Sequence, residues 1–435
     1  MLKALVVGNK LSGKSAKKLL KKMGYKVTMI ESDKSEKYYL LRDRLFMGLS
    51  LIVVSPGVPF DSEIILKAKQ KNISVIGEFE LGTNQVFGDM IAITGTNGKT
   101  TVTTMISEIM KAQNKNTFVG GNIGVPVSSF ALKTTSKSKT VLEVSSFQLE
   151  TINKFKPHIA VILNITPDHL NYHKTMENYI KAKLNIFKNQ DEKDFLILNK
   201  DDQLLMSQDF SSCKSQIYYF STKKKCMGCY ERSGNIYFYD GKKETFIMKT
   251  ADICLIGKHN VENALAAILS GILSGITPKI IEKNVHNFKG VSHRLEYVTK
   301  IENVTFINDS KGTNITSTIV AMNAINEPTT LILGGSDKGY EFDELFIKMP
   351  PNIKRIIAIG ETKDRILRIS KKYKKCDNYL ASTMKEAVTL AYKLTKTTGG
   401  VVLLSPACAS FDMFKNYEHR GRVFVKDVKL LKFFK

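Results

Sequence analysis

The chain has 435 residues, more than one core usually organises, so about three domains are expected. Hydrophobic residues make up 43% and charged residues 24%, the balance of a globular protein, and no stretch approaches the roughly 20 apolar residues that span a bilayer. The net charge of +24 does not by itself mark a nucleic-acid binder: the lysines are spread along the chain, alternate with acids and are not interleaved with aromatics.

In chain order, Ala4 to Val7 reads as a strand with no apolar leader before it, so a cytoplasmic protein is expected. A helix pattern at Ala16-Leu19-Leu20-Met23 and a strand at Lys26 to Ile30 complete a βαβ start, with Glu31 and Asp33 just beyond. The turn between them, Gly8-Asn-Lys-Leu-Ser-Gly13, lacks the middle glycine of a dinucleotide fingerprint. Leu51 to Val54 is a further strand running into Ser55-Pro56-Gly57, at the end of the strand where α/β sheets bind ligands.

A second block opens with the strand Met90 to Thr94. Thr140 to Val144, His158 to Asn164 and Phe195 to Asn199 follow as buried strands, with helix patterns at Thr101 to Lys111 and Lys174 to Phe187. From Gln216 to Ile253 short aromatic and β-branched runs alternate with turn signals, which predicts a small antiparallel insertion. Within it, Cys226 and Cys229 have half of a zinc spacing and no second pair, so reduced thiols are expected. A helix is predicted at Val261 to Leu273. A third block begins near Val291, with strands at Thr305 to Asn308, Thr329 to Leu333, Ile356 to Ile359 and Val401 to Leu404. The whole reads as α/β, with mostly parallel sheets.

The sharpest local signal is Gly95-Thr96-Asn97-Gly98-Lys99-Thr100-Thr101, set between a strand and a helix. Glycines let backbone amides turn towards an anion, and the helix N-terminus adds unpaired N–H groups. Lys99 suits the β- and γ-phosphates of a nucleotide and the Thr100 hydroxyl suits Mg²⁺. A strict P-loop has a glycine where Ile93 stands, so this is a variant loop. Glu143 lies inside a strand-like apolar run, where an unpaired carboxylate is costly; Mg²⁺ or an ion pair to Lys99 would each account for it. Asp168 and His169 follow another strand, with Asp168 also suited to cap the next helix. Lys183, on a helical run, reads by local chemistry as a solvent lysine.

The phosphate loop resembles the ATP loop of the Mur ligases and of the folylpolyglutamate synthases. Gly120 to Pro126, Leu142 to Leu149, Pro167 to Leu170, Gly257 to Asn260, Ser292 to Arg294 and Asn308 to Asn314 are similar to Mur ligase motifs in the same order. Leu404 to Phe414, with Arg420-Gly421, resembles the members that add D-glutamate, and the Asp-Asn-Pro-Arg run of members that add diaminopimelate or lysine is absent. The resemblance implies an N-terminal Rossmann-like domain for the UDP-muramoyl substrate (1–88), a central P-loop-type ATPase domain (89–290) and a C-terminal Rossmann-like domain for D-glutamate (291–435). It implies an ATP-dependent amide ligase acting on UDP-N-acetylmuramoyl-L-alanine and D-glutamate, without nucleic-acid or stable membrane partners, and monomeric.

The same resemblance assigns residues. Gly95 to Thr101, Asn260, Arg294 and Asp309 surround ATP. Thr100, Glu143, His169 and Lys183 hold Mg²⁺, with Lys183 carrying a carbamate. Asn122 meets the muramoyl substrate, and Thr313, Lys338, Ser410 and the backbone near Tyr417 form the D-glutamate pocket. Lys99, Lys183, His169 and Lys311 carry the chemistry. A different Mur ligase, a folate polyglutamylase and a nucleotide-controlled assembly protein are the rival readings.

Overall fold

The computed structural model describes residues 2–31, 43–56, 58, 62–255, 257–337, 339 and 341–431. Asp33 and Gly57, at two of the strand ends above, lie outside them. The chain divides into two compact units, Met1–Ile253 with Val261–Phe288, and Cys254–Asn260 with Lys289–Lys435.

The first unit carries two sheets. β1 (Lys3–Val7), β2 (Lys26–Ile30), β3 (Leu49–Val54) and β4 (Ser74–Gly77) form a parallel sheet in the order β2-β1-β3-β4. Alternate residues of β1 point to opposite faces: Leu5 and Val7 join one cluster with Ile52 and Ile65, while Ala4 and Val6 join another with Leu19 and Leu20. The helix Glu78–Thr83 follows β4 directly. Its Glu78 carboxylate accepts from the Ser128 N–H at 2.9 Å and from the Ser128 hydroxyl at 2.5 Å, and its Glu80 from the Lys154 N–H at 2.7 Å. Both carboxylates are buried, and burial raises the Glu78 pKa against the lowering effect of the Ser128 bonds.

The larger sheet contains β5 (Asp89–Thr94), β6 (Thr117–Gly121), β7 (Lys139–Glu143), β8 (Ile159–Ile162), β9 (Phe195–Asn199), β10 (Gln216–Ser221), β11 (Gly228–Arg232), β12 (Asn235–Tyr239) and β13 (Glu244–Lys249). Its order is β13-β12-β11-β10-β9-β8-β5-β7-β6. The predicted antiparallel insertion is therefore only partly antiparallel. β10 runs parallel to β9, and β11 parallel to β10; only β11 to β13 form the meander. Turn signals report the hairpins but not how the first strand joins its neighbour, and here Ile217 to Phe220 extend the parallel ladder. Cys226 and Cys229 are free and buried, and burial pushes both thiols up, Cys226 to about 12.

The second unit holds β14 (Glu296–Ile301), β15 (Val304–Asn308), β16 (Thr329–Leu333), β17 (Ile353–Ala358), β18 (Asp377–Leu380) and β19 (Gly400–Leu404) in the order β14-β15-β19-β16-β17-β18. Only β14 is antiparallel. Apolar clusters cover both faces, one around Leu331, Phe342 and Phe346, the other around Phe306, Val388 and Phe424, which is why these strands read as continuous apolar runs. No described helix is long and apolar enough to cross a membrane.

Candidate functional site

In the larger sheet β5 lies between β8 and β7, and all three are parallel. Their C-terminal ends therefore open on one edge, where α/β sheets place ligands. β5 delivers the loop beginning at Gly95. Ile93 of β5 is in register with Glu143 of β7, and Thr94 with Ile162 of β8.

The loop turns through two glycines with positive φ, Gly95 at 150° and Gly98 at 84°. Gly98 caps the helix Lys99–Gln113. A Cβ there would stand 2.4 Å from Asn263 Oδ1, so close approach as well as φ requires glycine. The Thr96 and Asn97 amides donate to the Asn164 side chain at 3.0 and 2.8 Å. The Thr96 hydroxyl meets the Tyr179 hydroxyl at 3.1 Å and accepts from the Thr166 N–H at 3.0 Å. Lys99 Nζ folds back onto the carbonyls of Gly95 and Thr96, at 2.7 and 2.9 Å. Thr100 and Thr101 are buried in the first helical turn.

Lys183 is not a solvent lysine: it is 1% exposed. The helix Met176–Leu184 turns it inward, its Nζ donates to the Gly95 carbonyl at 2.9 Å, and it lies 4.5 Å from the centre of the Tyr179 ring. Desolvation, and then the neighbouring Lys99 charge, hold its pKa well below the usual lysine value. Glu143 is 3% exposed. Its Oε1 accepts from Asn122 Nδ2 at 2.7 Å, and its backbone carbonyl accepts from the Asn122 N–H at 2.8 Å. Its Oε2 is buried with no hydrogen-bond partner, an orphan that a cation would satisfy. The observed partner of Oε1 is thus Asn122.

His169 adopts φ +53° and forms the N-cap of the short helix Leu170–His173, the place considered for Asp168. Its side chain is 49% exposed, 3.5 Å from Asp168 and 5.0 Å from the Phe147 ring. Among the described residues no group of three His, Cys, Asp or Glu side chains is arranged for a metal. The predicted set contains only two such side chains, Glu143 and His169, so it fits a metal through Glu143 Oε2 and depends on Thr100 and a modified Lys183 for the rest.

In the second unit, Asp309 follows β15 and is 5% exposed. Its carboxylate accepts from the Ser405 hydroxyl at 2.7 Å and from the Leu295 N–H at 3.2 Å. Desolvation raises its pKa to about 6 against the Ser405 bond and the Arg294 charge. Arg294 Nε is buried without a hydrogen-bond partner, and Asn260 is also buried. The Lys311 N–H donates to the His293 carbonyl at 2.9 Å, and Lys311 Nζ lies 5.7 Å from the Tyr417 ring centre. Thr313 directs its N–H to the Lys311 carbonyl, Ser410 is 2% exposed, and the Tyr417 carbonyl accepts from the Ser310 hydroxyl at 2.8 Å. Lys338 lies outside the described residues.

Sequence reasoning assigned no role to four residues that organise these loops. Asn164 holds two loop amides. Ser405 holds Asp309. Arg420, 1% exposed, donates to the carbonyls of Ser310, Cys408 and Ala409 and to the Ser310 hydroxyl. His173 is buried, with Ser146 and Glu150 of one short helix beside its two ring nitrogens. The available signal was a polar residue directly after an apolar strand, which marks Asn164 and Ser405; nothing local marks Arg420 or His173.

Residues 93–271 match the Mur ligase middle domain, and residues 293–408 match the Mur ligase glutamate ligase domain. The UDP-N-acetylmuramoylalanine--D-glutamate ligase of Koribacter versatilis is 44% identical over 445 residues, covering 98% of this chain and 97% of that protein. The ligase of the same name from Clostridioides difficile is 41% identical over 451 residues, covering 99% of each. Among solved structures, the UDP-N-acetylmuramate-alanine ligase MurC from Thermotoga maritima superposes with a TM-score of 0.59 at 20% identity, over 99% of both chains. The MurF ligase from the same organism, in complex with ADP, does so at 0.59 and 16% identity, over 91% of this chain and 93% of that one.

Proposed function

The chain belongs to the Mur ligase family, and we propose that it uses ATP to join D-glutamate to UDP-N-acetylmuramoyl-L-alanine in peptidoglycan synthesis. The observation that carries this reading is the near full-length similarity to ligases of that name, at 41 to 45% identity. The three sheets support a division into a UDP-muramoyl domain (1–88), an ATP domain (89–290) and a D-glutamate domain (291–435).

The alanine carboxylate is a poor electrophile, so its oxygen first takes the γ-phosphoryl group of ATP, ADP leaves and an acyl phosphate forms. The neutral D-glutamate amine then attacks, its proton passes to a base or water, and the tetrahedral intermediate expels phosphate and leaves an amide. Gly95 to Thr101 bind the ATP phosphates through amides and the helix N-terminus, with Lys99 swinging from the Gly95 and Thr96 carbonyls to the transferred phosphoryl group. Asn260, Arg294 and Asp309 hold the rest of the nucleotide. Thr100, Glu143, His169 and carbamylated Lys183 would hold Mg²⁺, which when bound supplies positive charge against the phosphoryl oxygens.

Lys183 is suited to that modification because burial disfavours its ammonium form. The neutral amine attacks CO₂, forms a C–N bond as one C=O π bond opens, and releases a proton, leaving an anion where an ammonium would otherwise form. Asn122 orients the muramoyl substrate beside Glu143. Thr313, Lys338, Ser410 and the Tyr417 backbone bind D-glutamate, and Lys311 offsets phosphate or carboxylate charge. Exclusion of water from the site protects the acyl phosphate. The protein acts as a cytoplasmic monomer.

The test is phosphate release with ATP, Mg²⁺, bicarbonate and UDP-N-acetylmuramoyl-L-alanine, with D-glutamate, L-glutamate, L-lysine, meso-diaminopimelate or no amino acid, and product mass checked. Release with D-glutamate alone, with the mass of one added glutamyl residue, supports the reading. Turnover with another amino acid moves the specificity, and ATP binding without amide product sinks the ligase.

A further inference from the structure

We propose that His173 is a positioning residue, a buried strut that sets His169 and Lys183 in place; this rests on the metal roles proposed above for those two residues. The His173 side chain is 0% exposed. Nε2 is 2.9 Å from the Ser146 hydroxyl, and Nδ1 is 2.9 Å from Glu150 Oε1, at ion-pair distance without hydrogen-bond alignment. Ser146 and Glu150 are the two ends of one short helix, Ser146–Glu150, which begins three residues after Glu143. The imidazole thus fastens its own segment to the one that leaves β7.

Two aromatic arms extend from it. Phe147 stacks on His173 at 5.4 Å and 19°, and the same ring meets His169 at 5.0 Å. Tyr179 packs on His173 at 5.2 Å, carries the Lys183 ammonium 4.5 Å from its ring centre, and reaches the Thr96 hydroxyl with its own. One buried ring therefore braces the supports of His169, Lys183 and the phosphate loop.

The backbone around it needs such a brace. The four-residue helix Leu170–His173 is bracketed by two non-glycine residues with positive φ, His169 at 53° and Lys174 at 68°. Lys174 pairs that φ with ψ −45°, outside the ordinary left-handed region. Backbone of this kind persists only where the surroundings over-determine it. The Ser–His–Glu order suggests a hydrolytic triad, but Ser146 is 2% exposed and out of reach of a substrate, so the cluster holds rather than attacks.

The test compares His173→Gln and Ser146→Ala with the wild type. Steady-state kinetics and Mg²⁺ titration are run beside ¹³C NMR of protein equilibrated with ¹³C-bicarbonate, which reads the Lys183 carbamate without turnover. Melting confirms that each variant is folded, and Ser146→Ala keeps the test open if His173→Gln does not fold. The expectation is a fall in kcat of about ten- to a hundredfold, little change in KM for ATP, a higher Mg²⁺ midpoint and a weaker carbamate signal. Folded variants with kcat, midpoint and signal all at wild-type levels overturn the proposal. So does a fall in kcat with midpoint and signal unmoved, because the loss then bypasses both ligands. Failure of the ligase reading is separate: it would show as wild-type protein with no D-glutamate-dependent turnover.

Discussion

Lys183 and Lys99 aim their ammonium nitrogens at one acceptor, the carbonyl oxygen of Gly95, at 2.9 and 2.7 Å. Two cations converging on one dipole repel each other, and the buried one yields. Lys183→Met should therefore abolish turnover yet melt no lower than wild type, and about 2 °C or more higher in CO₂-free buffer, because an apolar residue replaces a buried amine that has one carbonyl and one ring face, and no carboxylate, as its partners among the described residues. Calorimetry beside the phosphate assay checks both halves; a clear drop in melting temperature would mean that the lysine is structural.

Glu143 has one oxygen on Asn122 and one on nothing. Glu143→Gln keeps the shape and the Oε1 acceptor while removing the charge. The expected outcome is a loss of about a hundredfold or more in kcat, with the Mg²⁺ midpoint raised and the melting temperature unchanged. Mg²⁺ titration at saturating ATP decides it, since a structural carboxylate would shift stability and leave the metal dependence alone.

The strands and the phosphate loop were legible because they are local. Ile91 to Ile93 must be buried, Gly95 and Gly98 must bend, and a helix must follow, so a dozen consecutive residues state the site. Lys183 was not legible from its own surroundings. Its helix shows an ordinary mixture of lysines and apolar residues, and only the packing of Tyr179 under the loop turns that one lysine inward. The family resemblance supplied the role proposed for it, as it did for Asp309 and Thr313. Arg420 and His173 act through partners far away in sequence: Arg420 reaches back to Ser310, and His173 to Ser146. The meander was half legible, because hairpins are written in turns while the parallel pairing of β10 with β9 is not.

Asp309 should give the second unit a pH signature. Its carboxyl pKa is about 6 in the fold against 3.8 for the ordinary group. Between those values the folded chain binds more protons than the unfolded one. Its contribution is thus fully present below about pH 3.8 and is lost as pH rises through about 6. Asp309→Asn, fixed in the neutral form, should gain on wild type by about 2–6 °C in melting temperature between pH 4 and pH 7. Parallel pH dependences for the two proteins would place the proton elsewhere.

Arg420 carries a charge into the core with carbonyls as its main partners, and desolvation lowers its pKa to about 10. Arg420→Ala should cost about 3–5 kcal/mol, since the carbonyls of Ser310 and Cys408 lose their donor and that of Ala409 keeps only the Ser336 N–H. Arg420→Lys should recover only part, because an ammonium cannot span both loops as the fork does. Denaturant unfolding gives the cost. KM for D-glutamate should rise more than KM for ATP, because Ser410 and Tyr417 lie on the segments that Arg420 and Ser310 tie down.

Gly98 and Gly124 give a matched pair of substitutions. Both have positive φ, 84° and 68°, so a methyl group strains the backbone at each by about 1 kcal/mol. They differ in space: a Cβ at Gly98 lands 2.4 Å from Asn263 Oδ1, while at Gly124 nothing lies within 4 Å. Gly124→Ala should therefore bear the conformational cost alone and keep its affinity for ATP. Gly98→Ala should also push the start of the helix Lys99–Gln113 away from Asn263, turning the amides and Lys99 off the phosphates, and nucleotide binding should weaken at least about tenfold. Calorimetric titration with ADP separates the two; equal weakening at both positions would mean that φ, not the approach of Asn263, makes glycine necessary in the loop.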